Sequence, residues 1–253
     1  MKILRLKISS TVTFLLCLFP FLFIGCEKNF LNNVLTQEEI ARGLKSALEE
    51  GSKFALKTLG TQDGFLCDEA VKVLLPGDAA NFINLASDIP FVSNLVKGIE
   101  DELILTINRA AEASIEGVIP VVLDAIKNIT IQDANAILFS NNNFAATQYL
   151  QDKTYESLCT ICMSVIEGAL NKDIIGSISA QGAWEKFTTQ YNTIVGMLPL
   201  IHFDPIETDL SRYTTQKTMD GVFVKIGDME QNIRTDVNAR VNDLLRKVFG
   251  QLD

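Results

Sequence analysis

Residues 36–60, TQEEIARGLKSALEEGSKFALKTLG, decide the fold class because they carry a complete helix signal. Thr36 and Glu39 have the spacing of a capping box, in which a hydroxyl and a carboxylate satisfy the first free amides of a helix. Gly60 supplies a C-terminal stop. Between these ends, apolar residues recur on one helical face: Ile40, Leu44, Ala47, Leu48, Ala55 and Leu59. The stretch predicts a first helix of about six turns.

Helical spacing continues along most of the remaining chain. Pro120 predicts either a kink or a new helix, and residues 144–170 predict one helix or two joined at Asp152-Lys153. Residues 130–133 repeat the capping pattern, and Asp209 is placed to cap the last long helix. The further predicted helical segments are 70–75, 78–86, 92–113, 120–129, 134–139, 144–170, 180–197 and 209–233.

The C-terminal region carries the cleanest helical stripe in the chain. It consists of Val237, Val241, Leu244, Leu245 and Val248, and Gly250 closes it. No segment shows the strict alternation of a strand hairpin, and no repeat of 33–47 residues indicates a helical solenoid. We therefore predict an all-α fold of roughly eight to ten helices in a single domain, residues 36–250.

The N-terminus has the layout of a secretory signal peptide, residues 1–25. Lys2, Arg5 and Lys7 form a basic head, and an apolar stretch, residues 12–24, follows. A membrane-spanning helix is the alternative, but it needs roughly 20 apolar residues, and this stretch is shorter and broken by Pro20.

Cys26 stands where a bacterial lipoprotein signal would be cleaved. Residues 22–26, LFIGC, resemble a lipobox, in which the cysteine thiol receives a diacylglycerol and the new amino group is acylated. Phe23 occupies the position where leucine is usual. No A-x-A-like site lies between the apolar stretch and Ala41. We predict lipidation at Cys26, a lipidated tether over 26–35, and a location in the bacterial cell envelope facing the periplasm.

The negative net charge of the chain argues against anionic binding partners. Removal of residues 1–25 leaves 19 basic and 31 acidic residues, a formal charge of about −12. Such a chain repels phosphate backbones and anionic membrane surfaces. We therefore predict no nucleic-acid partner, and attachment to a membrane only through the N-terminal lipid.

The remaining cysteines are Cys67, Cys159 and Cys162. Cys159 and Cys162 form a C-x-x-C inside a predicted helix, where they share a face and behave most simply as small apolar residues. A disulfide from Cys67 to one of the pair, or a metal site that adds His202, are the alternatives. The favoured interpretation predicts no metal and no cofactor, and treats His202 as a loop residue packed near prolines.

The familiar catalytic motifs are absent from the sequence. It contains no G-x-S-x-G, G-x-G-x-x-G, Walker loop or H-E-x-x-H. Polar groups do interrupt two apolar helices: Asn108, Arg109 and Glu112 in one, and Thr215, Gln216, Lys217 and Asp220 in the other. Arg109 and Glu112 have the i, i+3 spacing of an ion pair. Solvated helix faces are the ordinary interpretation, whereas a shared groove would make a polar pocket.

Several blocks, in order, resemble the bacterial family called domain of unknown function 4197. They are LTQEEIARGLKSALEEGSKFALKTLGTQDGFL, INRAAEASIEGVIPVVLDAIKNITIQDANAIL, FAATQYLQDKT and YTTQKTMDGVFVKIGDMEQNIRTDVNARVNDLLRKVFG. The resemblance implies an exported or lipoprotein-like protein, with no assigned activity and no catalytic residues. It also marks residues in matching blocks as a candidate common polar site: Asn108, Arg109, Glu112, Thr147, Gln148, Lys153, Thr154, Thr215, Gln216 and Asp220. Cys159 and Cys162 depart from what is usual in similar proteins.

These observations leave three functional hypotheses. The first is a lipid-anchored helical module that binds an envelope protein or a small ligand without catalysis. The alternative is a hydrolase that acts on envelope polymer or lipid through groove carboxylates such as Glu112 and Asp220. A pure scaffold, which would show a large exposed apolar patch, is the third.

Overall fold

The computed structural model describes residues 35–87, 98–175, 178–197 and 206–253. The predicted signal peptide, the lipidation site Cys26, most of the tether, the start of the helix predicted at 92–113, and His202 lie outside these residues. The chain divides into two units, Met1–Thr36 and Gln37–Asp253, and every helix and strand described below belongs to the second.

Eight α-helices make up most of the described residues. They are α1 Gln37–Leu59, α2 Gly77–Ser87, α3 Ile99–Asn128, α4 Ala134–Leu138, α5 Ala145–Leu170, α6 Ala180–Met197, α7 Ser211–Thr235 and α8 Asp243–Phe249. A short antiparallel pair of strands, β1 Asp173–Ile175 and β2 Ile178–Ser179, joins α5 to α6. Short 3-10 turns, Val237–Ala239 and Gly250–Leu252, flank α8. The predicted all-α, single-domain class is confirmed.

Four long helices, α1, α3, α5 and α7, form the body of the domain. Both α3 and α7 pack against α1 and against α5, whereas the two diagonal pairs touch little. The ammonium of Lys45 on α1 donates to the carbonyl of Lys127 near the end of α3, and Gly60, just past the other end of α1, lies against Ile115. Neighbouring α1 and α3 are therefore antiparallel, as in other helix bundles.

The start of α1 marks what we call the proximal end of the bundle. It contains the start of α1, the end of α3, α4, the start of α5, the end of α7 and α8. The Gln37 side chain accepts a hydrogen bond from the amide of Asn135, and Lys247 on α8 pairs with Glu39. Arg234, near the end of α7, donates to the carbonyls of Ile137 and Leu138 on α4. Residues 60–75 and α6 lie toward the opposite, distal end.

Helix α1 forms as predicted, and its apolar face enters the core. Close approach between α1 and α8 depends on Gly43, since a Cβ there would come within 2.5 Å of Val248. Gly117 does the same between α3 and α5, where a Cβ would meet Val165 at 2.5 Å. Helix α2 is attached to α6 by aromatic packing, with the rings of Phe82 and Tyr191 edge to face at 4.6 Å.

The prediction of a helix at residues 70–75 is wrong. The segment is extended after a turn, and its side chains alternate, with Val71, Val73 and Leu75 buried and Leu74 largely exposed. This period of two belongs to extended chain. The side chain of buried Asn108 binds both the amide and the carbonyl of Val73, so neither group can take part in a helix.

Two further local predictions are corrected. Helix α4 begins only after Asp133, which adopts a left-handed conformation with φ of 52° and makes no capping hydrogen bond with its side chain. The stripe at 237–248 is not one helix, because the 3-10 turn Val237–Ala239 ends before α8 begins at Asp243, and Val237 and Val241 are 55% and 62% exposed. The chain turns there, and Asn242 starts α8 by accepting a hydrogen bond from the Leu245 amide.

The chain passes through Pro120 within α3 and through Asp152-Lys153 within α5, so no new helix begins at either position. Asp209 accepts a hydrogen bond from the amide of Ser211 at the start of α7, although Leu210 is the residue that caps the helix. Among the described helices, none has both the length and the apolar character that a membrane crossing requires.

Candidate functional site

Asn108 lies buried on α3 and holds the extended segment in place. Its side-chain oxygen accepts from the amide of Val73 at 2.8 Å, and its nitrogen donates to the carbonyl of Val73 at 2.8 Å and to that of Ile104 at 2.7 Å. Asn108 thus satisfies both backbone groups of a buried residue, as a neighbouring strand would. Both polar atoms of the Asn108 side chain therefore bind backbone groups of the domain itself.

Arg109 and Glu112 form the ion pair that their spacing predicts, with 2.6 Å between Nη1 and Oε2. Arg109 also reaches Asp63 at 2.6 Å, and these hydrogen bonds, to Asp63 first and then to Glu112, raise the pKa of the guanidinium. The other oxygen of Glu112 accepts from the amides of Phe65 and Leu66. The cluster fastens the turn after α1 to α3, and both oxygens of Glu112 are occupied.

Thr147 belongs to a second buried network, at the start of α5. Glu230 on α7 accepts from the amides of Ala146 and Thr147 and from the Thr147 hydroxyl, at 2.6 to 2.9 Å. Arg234 donates to Glu230 at 2.8 Å. Glu230 therefore caps a neighbouring helix with a full negative charge at its positive end.

Nothing in the sequence around Glu230 and Arg234 marks them as a buried pair. Their i, i+4 spacing is also that of ordinary exposed pairs on helix surfaces. What distinguishes them is burial, which depends on contact between α5 and α7, helices separated by 40 residues of chain.

Asp220 takes part in a third cluster, at the boundary between α7 and α5. Its carboxylate accepts from the hydroxyl of Tyr155 at 2.7 Å, and Lys217 lies 3.6 Å away. Burial first, and then the Asp220 carboxylate, raise the pKa of Tyr155. Gln216 takes part only through its carbonyl, 3.4 Å from the Tyr155 hydroxyl. The hydroxyl of Thr215 is buried and has no hydrogen-bond partner among the described residues.

Lys153 and Thr154 line a groove of about 620 Å³ between the second half of α3 and the first half of α5. Pro120, Val121, Ala125 and Leu158 contribute its apolar surface, and Asp124 lines it from the side of α3. The Thr154 hydroxyl is engaged with the carbonyl of Leu150.

The ammonium of Lys153 is one of two exposed charges in this groove, and the carboxylate of Asp124 is the other. The ammonium lies 5.8 Å from the centroid of the Tyr149 ring, and no carboxylate of the described chain comes within 4.0 Å of it. Ile161, which also lines the groove, is 56% exposed. The groove therefore offers a cation that has an aromatic ring beside it but no carboxylate partner among the described residues, next to uncovered apolar surface.

Two smaller cavities lie elsewhere. One of about 410 Å³ separates the start of α3 from α6 and is lined by Glu102, Asp173 and Lys186, among others. One of about 400 Å³ lies between α1 and α3, beside Lys45 and Lys127. Of the ten residues marked as a common polar site, only Lys153 and Thr154 line any of these three spaces. Gln148 donates to Asp152 on the exposed face of α5.

Cys67, Cys159 and Cys162 are free thiols. Cys159 and Cys162 lie buried on one face of α5, and burial raises the pKa of Cys162 to about 11. A thiol in this environment is a poor nucleophile and packs as an apolar side chain. No group of three or more metal-ligating residues occurs within the described ranges, and His202 lies outside them.

Comparison with known proteins gives one finding. Residues 34–250 match the family model described as "Protein of unknown function (DUF4197)". No curated protein and no solved structure matches the chain.

Proposed function

The chain belongs to the family described as Protein of unknown function (DUF4197), and on that premise we propose that it is a lipid-anchored, non-catalytic binding module of the bacterial cell envelope. The α3–α5 groove is the binding site in this proposal, and an amphipathic helix of another envelope protein is the ligand. The basic head, the short apolar stretch and Cys26 support the envelope location facing the periplasm.

The observation that carries the binding role is the unpaired ammonium of Lys153 beside exposed Ile161 in the groove. An open trough between two helices suits a helix that lays its apolar face along the floor. Lys153 on one wall and Asp124 on the other provide one charge of each sign. A partner helix with an acidic residue toward Lys153 and a basic residue toward Asp124 would complement both.

The hydrolase alternative lacks a comparable observation. It requires two carboxylates that converge on one substrate with a water or leaving group between them. Both oxygens of Glu112 accept hydrogen bonds, from the amides of Phe65 and Leu66 and from Arg109. Asp220 accepts a hydrogen bond from Tyr155 on another helix. Neither carboxylate lines a cavity described above.

Site-specific cross-linking tests the groove. A photoreactive phenylalanine analogue in place of Ser157, which lines the groove, should give one discrete adduct in intact cells. The same analogue at Glu167, exposed on α5 outside the groove, is the matched control.

Charge reversal then asks whether Lys153 is part of the contact. Lys153→Glu should reduce the adduct from position 157 about tenfold, equivalent to about 1.4 kcal/mol, because it places like charges together. Lys172→Glu, at an exposed lysine beyond the end of α5, should leave it unchanged. Equal adducts from positions 157 and 167, or no effect of Lys153→Glu, would contradict the proposal.

The lipid anchor is tested separately. Cys26→Ala should abolish incorporation of labelled palmitate and release the protein from the membrane fraction, since stable anchoring needs more than one acyl chain on the protein. Continued palmitate incorporation by this variant would exclude Cys26 as the acylation site.

A further inference from the structure

The proximal end of the bundle exposes large apolar side chains. Phe139 and Val237 are each 55% exposed, Val241 is 62% exposed and Phe144 is 40% exposed. Phe139 and Phe144 lie in the connection from α4 to α5, and Val237 and Val241 lie in the connection from α7 to α8, so two connections contribute two residues each. Single exposed apolar residues are common, but four at one end of a domain need an explanation.

Contacts among the described residues place all four exposed apolar residues at the proximal end. Arg234 ties the carbonyl of Leu138, next to Phe139, to the last turns of α7. The Phe144 ring lies against Gly227 on α7, where a Cβ would come within 3.1 Å of it. Arg240, between Val237 and Val241, donates to the carbonyl of Ile233 at 3.0 Å.

The position of the chain's entry into the bundle bears on what covers these residues. The domain begins with Gln37 at the proximal end, and the proposed acylated Cys26 precedes it by 11 residues. Even fully extended, 11 residues span at most about 40 Å. Helix α3, with 30 residues, is about 45 Å long, so the tether is shorter than the bundle. Lipid attachment at Cys26 would hold the proximal end within about 40 Å of the bilayer, close enough for it to reach the surface.

We propose that the proximal end docks on the lipid bilayer, with Phe139, Phe144, Val237 and Val241 entering the headgroup region. The inference rests on the proposed lipid attachment at Cys26. Apolar contact, not charge, drives the docking, because exposed Arg246 and Lys247 at this end already pair with Asp243 and Glu39. Phe side chains suit the boundary between headgroups and acyl chains.

The test uses the full-length protein as a bacterial host processes it, reconstituted in phosphatidylcholine vesicles with brominated acyl chains, which quench tryptophan on contact. The reporters are Phe139→Trp and Val241→Trp, on different elements, so a folding defect in one leaves the other informative. Leu74→Trp is the distal control, since Leu74 is 56% exposed beside Tyr213 at the start of α7. The native Trp184, buried in α6, is the constant background.

The fluorescence of each proximal reporter is the emission of the variant minus that of the wild type, which contains only Trp184. This difference should be at least about two-fold lower in brominated than in ordinary vesicles, because interfacial elements reach about 5–10 Å into the headgroup boundary. Emission added by Leu74→Trp should not change. Equal emission in brominated and ordinary vesicles for both proximal variants overturns the docking.

Two further outcomes separate the proposals. If the protein does not float with the vesicles at all, the lipid attachment at Cys26 is contradicted. The docking of the proximal end depends on that attachment and is then contradicted with it. Protein that floats, whose proximal reporters are shielded from aqueous iodide but not quenched by brominated lipid, has this end covered by protein. That result overturns the docking and leaves the lipid attachment standing.

Discussion

Glu230 and Arg234 form a buried ion pair one turn apart on α7, with 2.8 Å between Oε1 and Nε and each side chain only 2% exposed. The pair does more than cancel two charges. Glu230 caps α5, and Arg234 binds the carbonyls at the end of α4. Two residues thereby connect three helices at the proximal end, and every strong donor and acceptor involved has a partner.

Glu230→Gln should destabilise the domain by about 3–5 kcal/mol, because it leaves the Arg234 guanidinium buried without a counter-charge. The amide nitrogen of Gln replaces one of the two oxygens, so it turns a donor either toward the Thr147 amide or toward the Ala146 amide and Arg234, which only donate. Urea unfolding followed by circular dichroism measures the change. Glu167→Gln, at an exposed position on α5, should stay within about 0.5 kcal/mol of wild type, and an equal effect of both changes would refute the assignment.

Asn108→Asp should loosen the extended segment more than the rest of the domain. The carboxylate cannot donate to the carbonyls of Val73 and Ile104, and unsatisfied buried groups cost about 1–3 kcal/mol each. Hydrogen exchange at the amides of residues 71–75 should accelerate, while that of α5 changes less. Asn141→Asp in the exposed loop before α5 is the control, and unchanged exchange at Val73 would show that Asn108 is not the clamp.

The sequence predicted the fold class because long amphipathic helices have a strong local signal. Helix α1 and helix α6 have the predicted bounds to within a residue or two. The errors lie where a distant side chain decides the backbone. Residues 70–75 have acceptable helical composition, but Asn108, some 35 residues away, binds both backbone groups of Val73.

The candidate site shows the same limit. Polar residues inside apolar helices stand out in the sequence, and the i, i+3 spacing predicts the Arg109–Glu112 pair that the structure contains. Spacing within one helix could not show that Glu112 turns to the amides of Phe65 and Leu66, or that Glu230 caps α5. Both depend on which helices become neighbours, and that information is spread over the whole chain.

Gly43→Ala should separate α8 from α1, because the added Cβ would come within 2.5 Å of Val248. Overpacking of this kind typically costs about 1–3 kcal/mol. Combination with Val248→Ala removes the two Cγ contacts and leaves only the Cβ at 2.8 Å, so the double variant should lose less stability than the sum of the two single changes. Additive losses in urea unfolding would mean that Gly43 and Val248 do not meet.

Thiol labelling should distinguish the three cysteines. Cys67 is exposed, whereas Cys162 is fully buried and its pKa is raised to about 11. At pH 8, Cys67→Ser should remove one rapidly reacting thiol from the folded protein, while Cys162→Ser should remove none. In urea both variants should lose one. Rapid labelling of Cys162 in the folded protein would contradict its assignment as a core residue.

Asp68 and Lys225 provide a test of pH dependence. The hydrogen bond that Lys225 donates to Asp68 lowers the pKa of Asp68 from 3.8 and raises the pKa of Lys225 from 10.5. The contribution of Asp68 is present above pH 3.8 and is lost as pH falls through its lowered pKa. The contribution of Lys225 is present below pH 10.5 and is lost as pH rises through its raised pKa.

Asp68→Asn should therefore lower stability by a nearly constant amount between about pH 5 and 9, and the difference from wild type should shrink at either extreme. Because both side chains are partly exposed, the loss should be no more than about 1 kcal/mol and should decrease in high salt. Urea unfolding across pH measures it. Glu69→Gln is the matched control, since Glu69 is 85% exposed and lies 3.5 Å from Lys72. A pH-independent deficit that persists below the lowered pKa of Asp68 would assign the effect to packing instead of charge.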